Sequence, residues 1–599
     1  PSTSMQRQYL LVRMAIILSV LGLGYAALMV HVYRLQIARH GELIEKARGK
    51  YTACRTESGE RGRICDLDGN LLAGNISCRD VLAEPRRFNR DRAQIVRVLS
   101  KELGIAPTDL ARRFALANGQ ESRPKEIVVK RGLDIRTAEN IAAYHFRGIR
   151  FIDGYRRNYP KGSLLANLLG FTDIDGKGVS GVEQLEDSYL VPTPGRAVYE
   201  RDRRGHALQN ESCTEQAAHN GSDVYLTIRE PIQNIVEEEL MEMVRKHRPK
   251  AAYAVMANPA TGAILAMAQY PAFDANNRET MRDPSHWRNR LLSEGFEPGS
   301  VMKAVTAAGA IDYGVVGLNS MFDCESGAWV YCRKTLHDTH KYGRMPVWEI
   351  IQKSSNIGMA KIGIEMGPAR LYQTMKRFGF GDTTGIGLPD EASGIFRPLN
   401  KWDGLSISRF PIGQGVLVTP LQLLQAYCAI ANQGVMMQLH VLDRIVAPET
   451  GYMEVTVPQV KRRAVKPESA TTLIQALKLV TTEDGTAPKA AVEGYEVAGK
   501  TGTAQKVVNG VYSSSEYVAS FAGFVPADNA AFVLIIAADT PTDNGYYGGT
   551  VAAPTFSHIA ERTLKYLQVA PAQRPVGRIN GGPPEARTDA AVETVSRVP

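Results

Sequence analysis

From Met14 to Tyr33 the chain runs for twenty residues without an Asp, Glu, Lys or Arg, about the length a helix needs to cross a hydrocarbon core. A bilayer interior offers the backbone no partners, so such a segment must be helical, and it divides the chain into a short head and a long body. Arg7 and Arg13 precede it. The bias of basic residues toward the cytoplasm then places residues 1–13 inside and everything after Arg34 outside, as a single-pass membrane protein. A cleaved signal peptide is the rival reading. The run is long for a signal core and lacks the usual A-x-A cleavage pattern, which favours an uncleaved anchor over residues 14–33.

The remainder is long enough for two or more domains. Its 71 basic and 62 acidic residues give a net charge of +9, but they are dispersed, without a basic run or interleaved aromatics, which argues against nucleic-acid binding. A mildly basic surface suits an anionic membrane or an acidic polymer such as cell wall, or nothing beyond solubility. Seven cysteines are an odd number spread thinly, not a disulfide framework. Cys324, Cys332, His337 and His340 invite a zinc reading, yet their spacing fits no common module. A Cys324–Cys332 disulfide or two free thiols fit better, and no metal is assigned.

Residues 34–225 mix short strand-like runs with polar helices and hold no evident catalytic cluster, as a scaffold or interaction module would. Arg61-Gly62-Arg63-Ile64-Cys65-Asp66 and Gly181-Val182-Glu183-Gln184 stand out within it, either as contact segments or as plain turn and packing residues. Beyond Leu226 the character changes. Ala252–Ala257 and Ala263–Ala268 flank NPATG and read as a buried hairpin. Helical patterns follow, then three strand candidates in GYEVAGKTGTAQKV, YVASFAGFVP and AAFVLIIAADT. Strands at both ends with helices between them predict an α+β domain over 226–569, its first hairpin joining the last strands in one antiparallel sheet flanked by helices. Residues 570–599, rich in Pro, Gly, Ala and Arg without apolar periodicity, read as a disordered tail.

Glu297-Pro298-Gly299-Ser300-Val301-Met302-Lys303 opens the Ala-rich run AVTAAGAIDYG, and Pro and Gly before such a run predict a helix starting near Ser300. Residues three apart share a helix face, so the Lys303 amine can approach the Ser300 hydroxyl. An amine held neutral would take the proton of an otherwise weak nucleophile. A lone S-x-x-K is common on solvated helices. Two further short patterns raise its meaning: Ser354-Ser355-Asn356 between helical segments, and Lys500-Thr501-Gly502-Thr503 in a strand-like one. Those three patterns, in that order, are the signature set of penicillin-recognising serine enzymes. Gly494 to Thr501 also satisfies the phosphate-loop pattern, but no apolar strand precedes it, Glu496 would face the phosphates, and Gly502 falls where a helix should begin.

With these motifs in place the sequence resembles a class B penicillin-binding protein, a monofunctional peptidoglycan D,D-transpeptidase with a membrane anchor. The resemblance runs through RGRICDLDGNLLA, RNYPKGSLLANLLGF, GVEQLEDSYL and DRRG to EGFEPGSVMK, HDTHKYG, KSSNIGMAKIG, FPIGQGVLVTPLQL, VAGKTGTAQK and YYGGTVAAP. It is most like the division and sporulation subgroup. It implies an elongated α/β pedestal (the dimerisation or interaction domain) over 34–225 and a serine β-lactamase-like transpeptidase domain after it. It implies catalytic roles for Ser300, Lys303, Ser354, Asn356 and Lys500, with Thr501, Gly502 and Thr503 binding substrate and no cofactor. Burial and a second cation, for which Lys500 is the candidate, are expected to depress the Lys303 pKa, and the amides of Ser300 and Thr503 to hold the oxyanion. Tyr547 and Gly549 are expected at the cleft rim. Implied partners are a stem pentapeptide, an acceptor strand, β-lactams, a multispanning glycan polymerase and division-site proteins. Three readings stay open: a transpeptidase of the septal or elongation type, a carboxypeptidase or β-lactamase in which water is the acceptor, and a β-lactam-binding scaffold without catalysis.

Overall fold

The runs AAYAVMA, ILAMAQY and FVLIIAAD have no polar face to offer solvent, and each forms a strand buried along nearly its whole length. In the computed structural model, which describes residues 2–57, 59–88, 91–118, 126–200, 213–277 and 279–571, they build a five-stranded sheet. Its order is Ile264–Tyr270, Ala251–Ala257, Phe532–Asp539, Val511–Val525 and Ala498–Val508, and every neighbouring pair is antiparallel. The N-terminal hairpin thus joins the three C-terminal strands as the sequence predicts. Strands buried on both faces need cover on both. The helices Glu230–His247 and Gly548–Tyr566 pack on the sheet and on each other, and the buried helix Pro420–Ala431 packs against its central strands.

A helical cluster lies against this sheet: Met302–Asp312, Val347–Lys353, Asn356–Met366, Pro368–Arg377 and Pro467–Leu479. Met302–Asp312 is buried on nearly every side, which its small residues permit: Thr374 lies where a Cβ on Gly309 would stand. Cys324 and Cys332 are free thiols, one buried and one exposed. The first lies 3.3 Å from Ser355 Oγ and the second 3.5 Å from the Gly404 carbonyl, so they belong to different surroundings.

Residues 61–191 and 221–571 fall in one compact unit. Strand Leu71–Ala83 pairs with Ile127–Leu133 and Ile149–Asn158, over a small core that includes Phe88, Ile95, Leu99 and Phe114. The expected boundary near 225 falls inside strand Asp223–Leu226, which pairs in parallel with Ile64–Cys65 and antiparallel with Leu442–Val446. The two singled-out segments meet. Arg61 Nε is 2.8 Å from Glu183 Oε2, and Arg157 Nε is 2.6 Å from Glu183 Oε1. Arg61 Nη1 reaches Asp187 at 2.7 Å. Glu183 is fully buried between its two guanidinium partners.

The second compact unit holds residues 2–57, 59–60, 192–200 and 213–220. Helix Ser2–Tyr33 extends the predicted 14–33 segment toward the N-terminus. It is long and apolar enough to cross a membrane, with its described side chains exposed. Strands Thr52–Glu57, Gly195–Glu200 and Cys213–Gln216 form a small sheet. The segment DRRG and most of the predicted C-terminal tail lie outside the described residues.

Candidate active site

Ser300 sits in a single 3-10 turn, Gly299–Val301, that runs directly into helix Met302–Asp312, as Pro-Gly before an Ala-rich run predicts. The turn is fixed from several sides. Gly299 has φ +56, a conformation that glycine adopts without steric cost. Its N–H donates to the Gly413 carbonyl at 3.2 Å, and Gly413 in turn has no room for a Cβ because the Gly299 backbone occupies the place. The buried Tyr427 hydroxyl donates to the Val301 carbonyl at 2.8 Å. Gly415 N–H donates to Glu297 Oε1 at 2.8 Å. The GQG segment of FPIGQG is therefore part of the support of the Ser300 turn.

Lys303, one turn on, is completely buried. Its Nζ lies 2.6 Å from the Ser354 carbonyl, 3.0 Å from Ser354 Oγ and 2.8 Å from Asn356 Oδ1. Burial pushes its pKa down to about 7, against a smaller opposing pull from Asp338. The partners fit a neutral amine: the carbonyl and the amide oxygen can only accept, so they take its two N–H bonds and leave the lone pair toward the Ser354 hydroxyl.

Ser354 can present both its oxygens because it ends helix Val347–Lys353 in the left-handed conformation, φ 63 and ψ 41. That geometry is disfavoured for a residue with a Cβ, and such outliers cluster where function demands them. Ser355 then caps helix Asn356–Met366, accepting from Gly358 N–H at 3.0 Å. Asn356 is held at both ends of its amide, because its Nδ2 donates to the His337 carbonyl at 2.9 Å.

Asp338, which motif reading passes over, organises this corner. It accepts the Ser355 hydroxyl at 2.6 Å and the Ile357 N–H at 3.1 Å, and it also accepts the Asn356 N–H. A carboxylate on the first N–H groups of a helix also matches the positive end of its dipole. The sequence signal for Asp338 is its place in HDTHKYG, between two histidines of which His337 contributes its backbone carbonyl.

Lys500 lies on the edge strand Ala498–Val508, fully buried, with Nζ 3.3 Å from the Thr501 carbonyl and 3.3 Å from Thr501 Oγ1. Burial, reinforced by the Lys303 charge, pushes its pKa well down. Of the two causes expected from sequence, burial dominates for both amines, and the neighbouring cation weighs on Lys500. Thr501 Oγ1 lies 2.8 Å from Thr486 Oγ1, and Thr503 Oγ1 accepts the Gly548 N–H at 3.1 Å. A Cβ on Gly502 would collide with Ser520 Oγ and stand 3.1 Å from the Pro298 carbonyl and 3.2 Å from Val301 Cγ1. The space that glycine keeps is therefore filled by the Ser300 turn, which lets that turn and the edge strand approach. Tyr547 is exposed and stacks on Tyr546 with ring centroids 4.5 Å apart. The phosphate-loop pattern is not a loop before a helix: Glu496 pairs with Lys478 at 2.8 Å, and Lys500 lies within the edge strand, paired with Ala522.

A serine on a helix N-terminal turn, a buried lysine one turn later held by a Ser/Asn pair, and a lysine-bearing edge strand define the class of penicillin-recognising serine enzymes. The family model described as the penicillin binding protein transpeptidase domain matches residues 252–561, and that of the penicillin-binding protein dimerisation domain matches residues 56–226. The chain is 33% identical to the probable peptidoglycan D,D-transpeptidase PenA of Neisseria gonorrhoeae, over 93% of each chain. It is 30% identical to the peptidoglycan D,D-transpeptidase FtsI of Escherichia coli, over 93% of this chain and 92% of that one. A crystal structure of penicillin binding protein 3 from Mycobacterium tuberculosis complexed with aztreonam superposes with a TM-score of 0.66 at 29% identity, covering 87% of this chain and 99% of the other. The chain belongs to the class B penicillin-binding proteins, in their division-type subgroup.

Proposed function

We propose that this protein is a serine D,D-transpeptidase that crosslinks peptidoglycan stem peptides during septal wall synthesis, and that β-lactams acylate it at the same serine. One observation carries the reading: a fully buried Lys303 amine, pushed toward neutrality, is held by Ser354 and Asn356 one turn from Ser300. The relatives named PenA and FtsI support the reaction and its setting.

Lys303 takes the Ser300 hydroxyl proton as Oγ bonds to the carbonyl carbon between the two terminal D-alanines of a stem pentapeptide. The carbonyl oxygen becomes an oxyanion at the Ser300 and Thr503 amides, a type of contact worth roughly a hundredfold or more in rate per donor. The proton passes through Ser354 Oγ to the leaving nitrogen, the C–N bond breaks and D-alanine departs. An amine from an acceptor strand then attacks the ester carbon and gives up a proton to Lys303; the C–N bond forms, the C–Oγ ester bond breaks, and the proton returns to Ser300 Oγ. Lys500, Thr501 and Thr503 receive the donor's terminal carboxylate, whose charge favours a protonated Lys500 and so a neutral Lys303. Gly502 lets the strand carrying them lie against the Ser300 turn.

In this layout residues 1–13 form a cytoplasmic tail, 14–33 the anchor, 34–225 the pedestal and 226–569 the periplasmic transpeptidase domain, with a membrane-embedded glycan polymerase and division-site proteins as partners. Fluorescent penicillin should label the protein, and Ser300→Ala should abolish labelling. With a polymerase and lipid-linked precursor, mass spectrometry should find crosslinked muropeptides. Trimmed monomers alone would favour the hydrolase reading.

A further inference from the structure

Helix Met302–Asp312 has two ends, and the second also borders a cleft. Ser300 and Lys303 lie at its start. Tyr313, which closes it, helps line a cleft of about 500 Å³ with Tyr372, Gln373, Lys376, Arg377 and Arg462. Ten residues of helix, about 15 Å, separate Lys303 from Tyr313. Tyr372 and Lys376, like Gln373 and Arg377, are four apart and share a face of helix Pro368–Arg377. Arg462 comes from strand Val460–Arg463.

Positive charge is in excess here. Lys376 Nζ lies 2.6 Å from Asp382 Oδ1, and Arg377 Nη1 lies 3.3 Å from Asp312 Oδ2. Arg462 forms no ion pair among the described residues; its Nη1 donates only to the Lys376 carbonyl, at 3.2 Å. Arg377 Nη2 is buried without an acceptor. Three cations thus face two carboxylates. Their surroundings are aromatic: the Arg377 guanidinium lies 4.8 Å from the Tyr313 ring centre, and Tyr372 stacks on Phe396 at 5.3 Å. Tyr313 hydroxyl donates to Gln373 Oε1 at 2.9 Å, which leaves the Gln373 amide nitrogen as a donor.

We propose that this cleft is a second, non-catalytic binding site for peptidoglycan, in which Arg462, with Arg377 beside it, takes a stem-peptide carboxylate while Tyr372, Tyr313 and Gln373 contact sugar. Guanidinium forks match carboxylates, and aromatic surface with an amide donor suits the apolar faces and hydroxyl or acetamido groups of a glycan. A wall strand carries both kinds of group. Such a strand, bound away from Ser300, would raise the local concentration of further stem peptides at the active site. The proposal rests on the transpeptidase reading above.

The test uses the full chain in detergent, acylated with penicillin so that Ser300 is blocked. A soluble disaccharide-tripeptide, which lacks the D-alanyl-D-alanine bond and cannot be a donor, should bind, and Arg462→Glu should weaken it at least tenfold. Gln373→Ala should weaken it severalfold. Both variants should keep the wild-type rate of penicillin labelling, which also reports that they fold. Equal muropeptide binding by Arg462→Glu and wild type overturns the proposal. So does inorganic phosphate binding as tightly as the muropeptide, or an Arg462-dependent interaction seen with phosphatidylglycerol vesicles and not with the muropeptide. Failure of the wild type to be labelled by penicillin would strike the transpeptidase reading instead.

Discussion

The Asp338 carboxylate accepts the Ser355 hydroxyl at 2.6 Å and binds the first N–H groups of the helix that carries Asn356. It forms no hydrogen bond to Ser300, yet it sets where Asn356 Oδ1 meets Lys303. Asp338→Asn keeps the size but returns a weaker acceptor. We expect penicillin acylation to slow by about ten- to a hundredfold, with stability falling by about 1–3 kcal/mol. Because the Asp338 charge favours protonated Lys303, its removal should also move the acid limb of the acylation rate to lower pH. An unmoved pH profile would reduce Asp338 to a helix cap.

The Lys303 amine should govern acylation near neutrality. With its pKa pushed down to about 7, the rate should climb between pH 6 and 8 and level off above, as the neutral form becomes complete. Stability should follow the same sign. Between pH 7 and the ordinary lysine range the unfolded chain binds a proton that the native state does not, so this residue's contribution makes the fold more stable as pH rises through that window. Stopped-flow acylation across pH checks the first statement; a rate flat from pH 6 to 8 contradicts it.

Ser354 offers a separation of strain from chemistry. Ser354→Ala and Ser354→Gly both remove the hydroxyl 3.0 Å from Lys303 Nζ and should slow acylation comparably. Only glycine relieves the left-handed backbone at φ 63, so the glycine variant should be the more stable of the two by about 1 kcal/mol. Thermal denaturation of the pair measures this, and equal melting temperatures would remove the strain argument.

Gly502→Ala places a methyl group against Ser520 Oγ, the Pro298 carbonyl and Val301 Cγ1. Overpacking of this kind costs about 1–3 kcal/mol. Here the displaced element carries the nucleophile, so acylation should fall by more than tenfold even where the protein remains folded by circular dichroism. Wild-type acylation in that variant would show that the turn yields without consequence.

Glu183→Ala should leave two guanidinium groups, Arg61 and Arg157, buried without their shared carboxylate. Breaking a buried ion network from one side costs about 3–5 kcal/mol. Chemical denaturation should show that loss, while the penicillin acylation rate of the folded fraction stays at the wild-type value. A change in that rate would mean the network communicates with Ser300.

Much of this protein follows from local chemistry that a sequence displays. Twenty uncharged residues dictate a helix suited to a bilayer, Pro-Gly before an Ala-rich run starts the helix at the nucleophile, and continuous apolar runs give strands buried on both faces. The order of the Ser300, Ser354 and Lys500 motifs points to the enzyme class because the proposed attacking hydroxyl, relay and cation each demand a particular residue type. What only the tertiary structure decided depends on segments far apart in the chain: that Asp338 anchors the Ser355–Asn356 corner, that Gly413 and Gly502 make room for the Ser300 turn, that Glu183 gathers Arg61 and Arg157, and that burial more than mutual repulsion lowers both lysine pKa values. Desolvation and close packing are properties of the assembled interior. No run of residues carries them until the chain has closed around the site.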